Sequence, residues 1–270
     1  MQSTAEQAKA LRWVNEYVHT TPQGVVLPAD ELYGPTPYDV NFCFPYLPAV
    51  LDAGSIRLTP FIPRLHAEAF FTHTAEHPED FKYMRFHVLN TLEEFLSWYE
   101  LAYRRNPANM AYAINVVDQD GEHFAGIISL TSCDPERLTA EISMGIGFRS
   151  FRGNSGSTIA TALLLRYCLS SATDSPPGLG LRKVGWTAHS HNYPAQALAR
   201  TVGFQVESMK RWSRLAFSGK RGNTRVLRDG DPVGIPGIDD LYYVMCWDDW
   251  EGEGRKYVQA ALTKRFESKV

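Results

Sequence analysis

A chain of 270 residues with 44% apolar and 21% charged side chains has the material for a full core, which excludes a disordered, collagen-like or coiled-coil protein. Its formal net charge of −3 comes from interspersed acids and bases, which argues against nucleic acid or an anionic membrane as partner. The length exceeds one usual domain, so one large domain with terminal extensions is expected.

Cys43, Cys133, Cys168 and Cys246 lie far apart without metal or redox spacing, and they read as small buried apolar residues in a reducing compartment. The start, MQSTAEQAKALRWVNEY, carries polar groups where a signal peptide needs an apolar run. No stretch approaches the roughly 18 apolar residues of a membrane span. A cytoplasmic location is the expectation.

Ala8, Leu11, Val14 and Val18 fall near one face of a helix from about Thr4 to His19. A strap rich in proline and aromatics follows, too interrupted for regular structure and too apolar for a free linker, so residues 1–54 form an extension packed on the core. The domain itself, residues 55–250, opens with a strand, Ser55–Phe61, and a helix from Pro63 to about Thr74 with proline in its first turn. Asn90 or Thr91 caps a helix reaching Tyr103, with Glu93 and Glu94 near the positive end of its dipole. Strands Tyr112–Val117, His123–Leu130 and Leu138–Gly147, separated by turn residues, make an antiparallel meander. A small-residue loop then runs into a helix apolar on nearly all sides, which belongs against the sheet. After it come a strand, Leu181–His189, a short helix closed by Gly203, a strand from Phe204, and a polar loop, Ser218–Pro236, long enough for a lid. A last strand, Asp240–Trp250, and a C-terminal helix within 251–270 complete the chain.

Two segments carry the chemistry: AEISMGIGFRSFRGNSGSTIATALLL (Ala140–Leu165) and LRKVGWTAHSHNYPAQALARTVGF (Leu181–Phe204). A meander, a loop of small residues starting a buried helix, a further strand and an Asn-led helix ending in Gly-Phe resemble the core of the GNAT acyltransferases. Within that superfamily the chain resembles the ribosomal-protein-alanine acetyltransferase (Rim) type, and Trp247–Trp250 resembles a Trp-Asp-Asp-Trp segment of its fungal cytosolic members. The resemblance implies an α/β (α+β) fold with a mixed, mostly antiparallel sheet, a central V-shaped splay and flanking helices. It also implies acetyl-CoA as co-substrate.

A pyrophosphate needs inward backbone N–H groups and the positive end of a helix, and only small residues let it approach. Arg152, Gly153, Asn154, Ser155, Gly156, Ser157 and Thr158 provide this. Arg152 takes the first position of the family's Gln/Arg-x-x-Gly-x-Gly/Ala pattern, while Ser155 and Ser157 replace its small residues. Glycine inside a strand marks a bulge or a close approach, and the resemblance, whose members bind acyl-CoA beside a bulge in this strand, implies that Gly145, Ile146 and Gly147 lie at the cofactor. Without the resemblance, these glycines read equally as a kink, and the loop as an ordinary helix start. Asn192, kept from the family pattern, joins the cofactor set.

An acceptor amine is mostly protonated at neutral pH, so a base must remove a proton. Glu141, in the family's Ala-Glu-Ile pattern, is the first candidate, against an ordinary surface glutamate. His189, ending the paired strand, is the second. Ala195 and Ala199 stand where relatives carry Ser or Tyr as the acid, leaving Tyr193 or water to protonate the CoA thiolate. Tyr83, Arg85 and His87 occupy the segment that borders the acceptor in the family. His189-x-His191 lacks a third ligand, so no metal is expected. The resulting expectation is an N-acetyltransferase, monomeric or homodimeric, acting on a small-molecule or peptide amine. A non-catalytic acyl-CoA-binding module and an O-acyltransferase are the alternatives.

Overall fold

The computed structural model describes residues 24–84, 89–152, 155–216, 220–264 and 266. The helix expected near residues 4–19 lies outside them.

The first described strands, β1 (Leu51–Asp52) and β2 (Ile56–Pro60), form a hairpin whose turn holds Gly54 at φ +78°. Helix α1 (Pro63–Glu76) starts on Pro63 and leads into a 3-10 turn, Pro78–Phe81. Helix α2 (Leu92–Tyr99) is capped reciprocally: Glu94 N–H donates to Thr91 Oγ1 at 3.2 Å, and Asn90 N–H to Glu94 Oε2 at 2.8 Å. It widens into a π turn, Glu100–Arg104, where the buried Glu100 carboxylate is gripped by Arg104 and Arg105.

Strands β3 (Met110–Asp118), β4 (Gly121–Asp134) and β5 (Thr139–Gly147) form the meander. Helix α3 (Gly156–Leu169) buries nearly every side chain, as its uniformly apolar sequence requires. Strand β6 (Lys183–His189), helix α4 (Tyr193–Thr201), strands β7 (Gln205–Leu215) and β8 (Gly237–Cys246), and helix α5 (Arg255–Leu262) follow. The eight strands lie in the order β1-β2-β3-β4-β5-β6-β8-β7, antiparallel throughout except for β5 beside β6. This is the mixed, splayed sheet that the sequence implied.

Each face of the sheet has its own core. Helices α3, α4 and α5 cover one face through Ile142, Leu163, Val184, Trp186 and Tyr243. Helices α1 and α2 cover part of the other through Phe61, Phe70, Phe95 and Ile127. The strap joins the two. Leu27 N–H donates to Ser97 Oγ at 2.9 Å, Leu32 enters the α1–α2 core, Cys43 N–H bonds Pro107 O at 2.9 Å, and Phe44 enters the α3 core. It therefore crosses the end of the sheet where β3 begins and where β5 and β6 are still paired.

One expectation is corrected. The last strand starts earlier, at Gly237, and stops at Cys246; Trp247–Trp250 do not extend it. Cys246 N–H donates to Asp249 Oδ2 at 2.9 Å, capping a helical turn that runs through a π turn, Trp250–Gly254, into α5. The aromatic residues look strand-like, but the aspartate supplies a helix start. Arg214 pairs with the buried Asp240. All four cysteines are free, and burial pushes the Cys133 and Cys168 thiols up. No helix among the described residues is long and apolar enough to cross a membrane.

Candidate active site

Strands β5 and β6 pair at only three positions: Thr139 with Lys183, Ala140 with Val184, and Glu141 with Gly185. Beyond Glu141, β5 stays with β4 as far as Gly147, whereas β6 stays with β8 as far as His189. A slot opens between them, walled by backbone edges with no strand partner among the described residues. One wall is bulged. Ile128 faces Met144 but Gly126 faces Gly147, so Gly145 and Ile146 together oppose Ile127. The extra residue reverses the side-chain alternation, which is why Ile142 joins the α3 core and Ile146 the opposite one.

Two glycines permit this geometry. Gly126 sits at φ +136°, and a Cβ there would stand 2.3 Å from Ile146 O; one on Gly145 would stand 2.9 Å from Ile127 O. Such a bulge frees a backbone N–H to face the slot.

At the open end of the slot the chain turns into α3. The Phe151 ring lies across the helix start, so close that a Cβ on Gly156 would meet it at 2.3 Å. Ser155 precedes the first turn, and Ser157 and Thr158 lie half-buried within it. Gly153 and Asn154 fall outside the described residues. Arg152 turns its side chain away from the helix: Nε donates to Gly147 O at 2.6 Å and Nη1 to Asp80 Oδ1 at 2.5 Å.

On the face opposite α3, the closed end of the slot is polar. Thr187 Oγ1 donates to Glu141 Oε2 at 3.4 Å. Tyr242, on β8 beside Thr187, points its hydroxyl over Gly185 toward the Glu141 side chain. Burial, followed by the charges of Glu141 and Glu207, pushes the Tyr242 phenol up to about 12, so it stays a neutral hydroxyl. Lys210 Nζ sits 4.0 Å from its ring centroid. Further along, Tyr103 donates to Ser129 Oγ at 3.2 Å, and Thr131 Oγ1 lies 2.9 Å from Ser143 Oγ.

His189 is buried at 3% exposure, and desolvation leads the causes that lower its pKa. Its Nδ1 accepts the His191 N–H at 2.9 Å, which leaves the proton on Nε2, 3.4 Å from Arg221 O. The ring is thus neutral and engaged at both nitrogens. Tyr83 lies edge-on to it at 5.1 Å, and Lys220 Nζ donates to Met84 O at 2.5 Å, so segment 82–84 and the loop around residue 220 form one wall. That loop is stapled, not free. Asp239 Oδ1 accepts Asn223 Nδ2 at 2.7 Å and Trp212 N–H at 2.9 Å, while Oδ2 pairs with Arg225 at 2.8 Å. Arg85 and His87 lie outside the described residues. Asn192 caps α4 through Ala195 N–H at 3.3 Å, and Tyr193 is 68% exposed.

The structure therefore brings Glu141, Gly145, Ile146 and Gly147 to one slot, with His189 and Tyr83 at its far wall and Tyr193 toward solvent. Asp80, Gly126, Thr187, Asp239 and Tyr242 were missed by sequence reasoning. Only Thr187 and Tyr242 had a signal there, as polar side chains two residues or one strand from the chosen positions.

Residues 55–205, more than half of the chain, match the family described as acetyltransferase (GNAT) domain. The chain belongs to the GNAT acetyltransferase family. Solved structures agree on the fold. A probable GNAT-family acetyltransferase from Chromobacterium violaceum is 19% identical with TM-score 0.62, covering 88% of this chain and 100% of that one. Mycobacterium smegmatis RimJ, in complex with CoA-disulfide, is 18% identical with TM-score 0.55, covering 78% and 91%. Spermidine N-acetyltransferase from Vibrio cholerae, in complex with CoA and spermine, is 13% identical with TM-score 0.55, covering 73% and 99%. No curated protein is detectably similar in sequence.

Proposed function

We propose that this GNAT protein is an acetyl-CoA-dependent N-acetyltransferase of the Rim type that moves the acetyl group directly to a primary amine of a small molecule, amino acid or peptide. The observation that carries this reading is the parting of β5 and β6 immediately after Glu141 and Gly185, with a glycine-built bulge on one wall and a carboxylate at the closed end.

Backbone N–H groups of residues 155–158, around the start of α3, hold the pyrophosphate; Arg152 is committed elsewhere, its side chain to Gly147 O and Asp80 and its own N–H to Arg149 O at 3.1 Å. The unpaired edges of the slot accept the pantetheine arm as an added strand. The bulge N–H near Gly145–Ile146 stabilises negative charge on the thioester oxygen. Glu141, oriented by Thr187, takes the proton from the amine, directly or through water. The amine nitrogen forms the new bond to carbon as the C–S bond breaks, and the thiolate gains a proton from water or Tyr193.

One observation favours a second reading. Ala199, where many relatives carry a tyrosine, is wholly buried in the α3 core, so no side chain there reaches the thiolate, as would suit an acyl-CoA-binding module without turnover. Acetyl-CoA should raise the melting temperature while acetate does not; absence of any CoA response sinks both readings. Thiol release with a panel of amines and alcohols then separates N-transfer, O-transfer and mere binding. Glu141→Gln should lower kcat about 10²- to 10⁴-fold with CoA affinity unchanged.

A further inference from the structure

The 3-10 turn Pro78–Phe81 touches both halves of the site. On one side, the Asp80 side chain is 2% exposed and receives Arg152 Nη1, while Arg152 Nε closes onto the last carbonyl of β5, that of Gly147. Arg149 pairs with Glu79 of the same turn. A buried carboxylate needs a compensating charge. His73 Nε2 lies 3.5 Å from the other Asp80 oxygen, and its ring stacks on Phe148 at 4.1 Å. Burial first, then the neighbouring His77, lowers the His73 pKa against the pull of Asp80. At neutral pH it is uncharged, and Arg152 is the cation that balances Asp80.

On the other side, residues immediately after the turn build the acceptor wall. Tyr83 meets His189, and the Met84 carbonyl holds Lys220. A short, charge-assisted connection thus runs from the loop before α3, through the buried Asp80 carboxylate, to the wall at Tyr83, His189 and Lys220.

We propose that Asp80 is a positioning residue that couples the acyl-CoA loop to the acceptor wall, so that filling the loop is felt at Tyr83, His189 and Lys220. The inference rests on the acyl-CoA reading above. Physically, Arg152 grips the end of β5 and the turn at once, so loop and turn shift as one piece, and coupling through such a contiguous element is reciprocal.

Hydrogen exchange on the full chain, with CoA as probe, tests this in the wild type, Asp80→Asn and Arg152→Lys. In the wild type, CoA should slow exchange at the start of α3 (156–159) and, by about tenfold, in peptides over 78–84 and 220–225. In Asp80→Asn, CoA should still protect 156–159 while the two wall segments exchange at their ligand-free rates. Arg152→Lys keeps the charge but loses the two-pronged grip, and should weaken the coupling in the same direction. Protection at 156–159 without any at 78–84 in the wild type overturns the inference, as does full wall protection in Asp80→Asn and Arg152→Lys. If CoA protects no segment, the acyl-CoA reading fails and takes this inference with it.

Discussion

Glu141 and Gly185 are opposite each other at the last shared position of β5 and β6, and a Cβ on Gly185 would stand 3.0 Å from Glu141 Cγ and 2.7 Å from the Tyr242 hydroxyl. The glycine is the seat on which both side chains rest. Neither is backbone, and the Glu141 side chain can turn about its own bonds, so Gly185→Ala should lower the melting temperature only slightly while displacing the candidate base. Steady-state kinetics should show kcat down about 10- to 100-fold, the scale of an ångström-sized misplacement.

Gly126 behaves differently, because its Cβ would meet the carbonyl of Ile146 at 2.3 Å and its φ is +136°. Backbone cannot step aside as a side chain can. Gly126→Ala should cost at least about 2 kcal/mol in chemical denaturation and should also weaken CoA binding, since the bulge must move.

The staple on Asp239 makes a claim about the loop from residue 220. Removing a buried carboxylate with several donors leaves those donors unsatisfied, at about 1–3 kcal/mol. Asp239→Ala should therefore speed tryptic cleavage at Arg221, Arg225 and Arg228 by roughly tenfold or more, read by mass spectrometry of the nicked chain; an unchanged rate would mean that other contacts hold the loop.

Glu100 sets an acid limit. Burial alone would raise its carboxyl, but hydrogen bonds and charge from Arg104 and Arg105 outweigh burial and hold it below the ordinary range. A carboxyl depressed on folding stabilises the native state above its unfolded pKa of about 4.3, and that contribution fades as pH falls through the folded value. Melting temperature measured downward from pH 7 should hold until about 4.5 and then decline, and Glu100→Gln should start lower and decline less.

Much of this was legible in the sequence. Gly145, a poor strand residue, pointed to a bulge or a kink, the resemblance favoured the bulge, and Asn90 or Thr91 marked the start of α2 because such side chains have a local capping job. Both signals act within a few residues. Gly126 gave no such notice: its need for a positive φ comes from Ile146, twenty residues on and in another strand. Asp80 was equally silent, since its partner Arg152 follows 72 residues later. His189 looked like a base by type and position, but only the fold shows both ring nitrogens engaged. Trp247–Trp250 misled because aromatic content outweighed the capping aspartate in a local reading.

The three residue pairs between β5 and β6 have one more consequence. Strands β1 to β5 pair antiparallel in one ribbon, and β6, β8 and β7 pair antiparallel in another, so the sheet is two ribbons sewn by a brief seam. The slot is the unsewn part of that seam. Prying it wider need break no hydrogen bond inside either ribbon, so breathing of the slot is mechanically independent of the ladders that keep the protein folded.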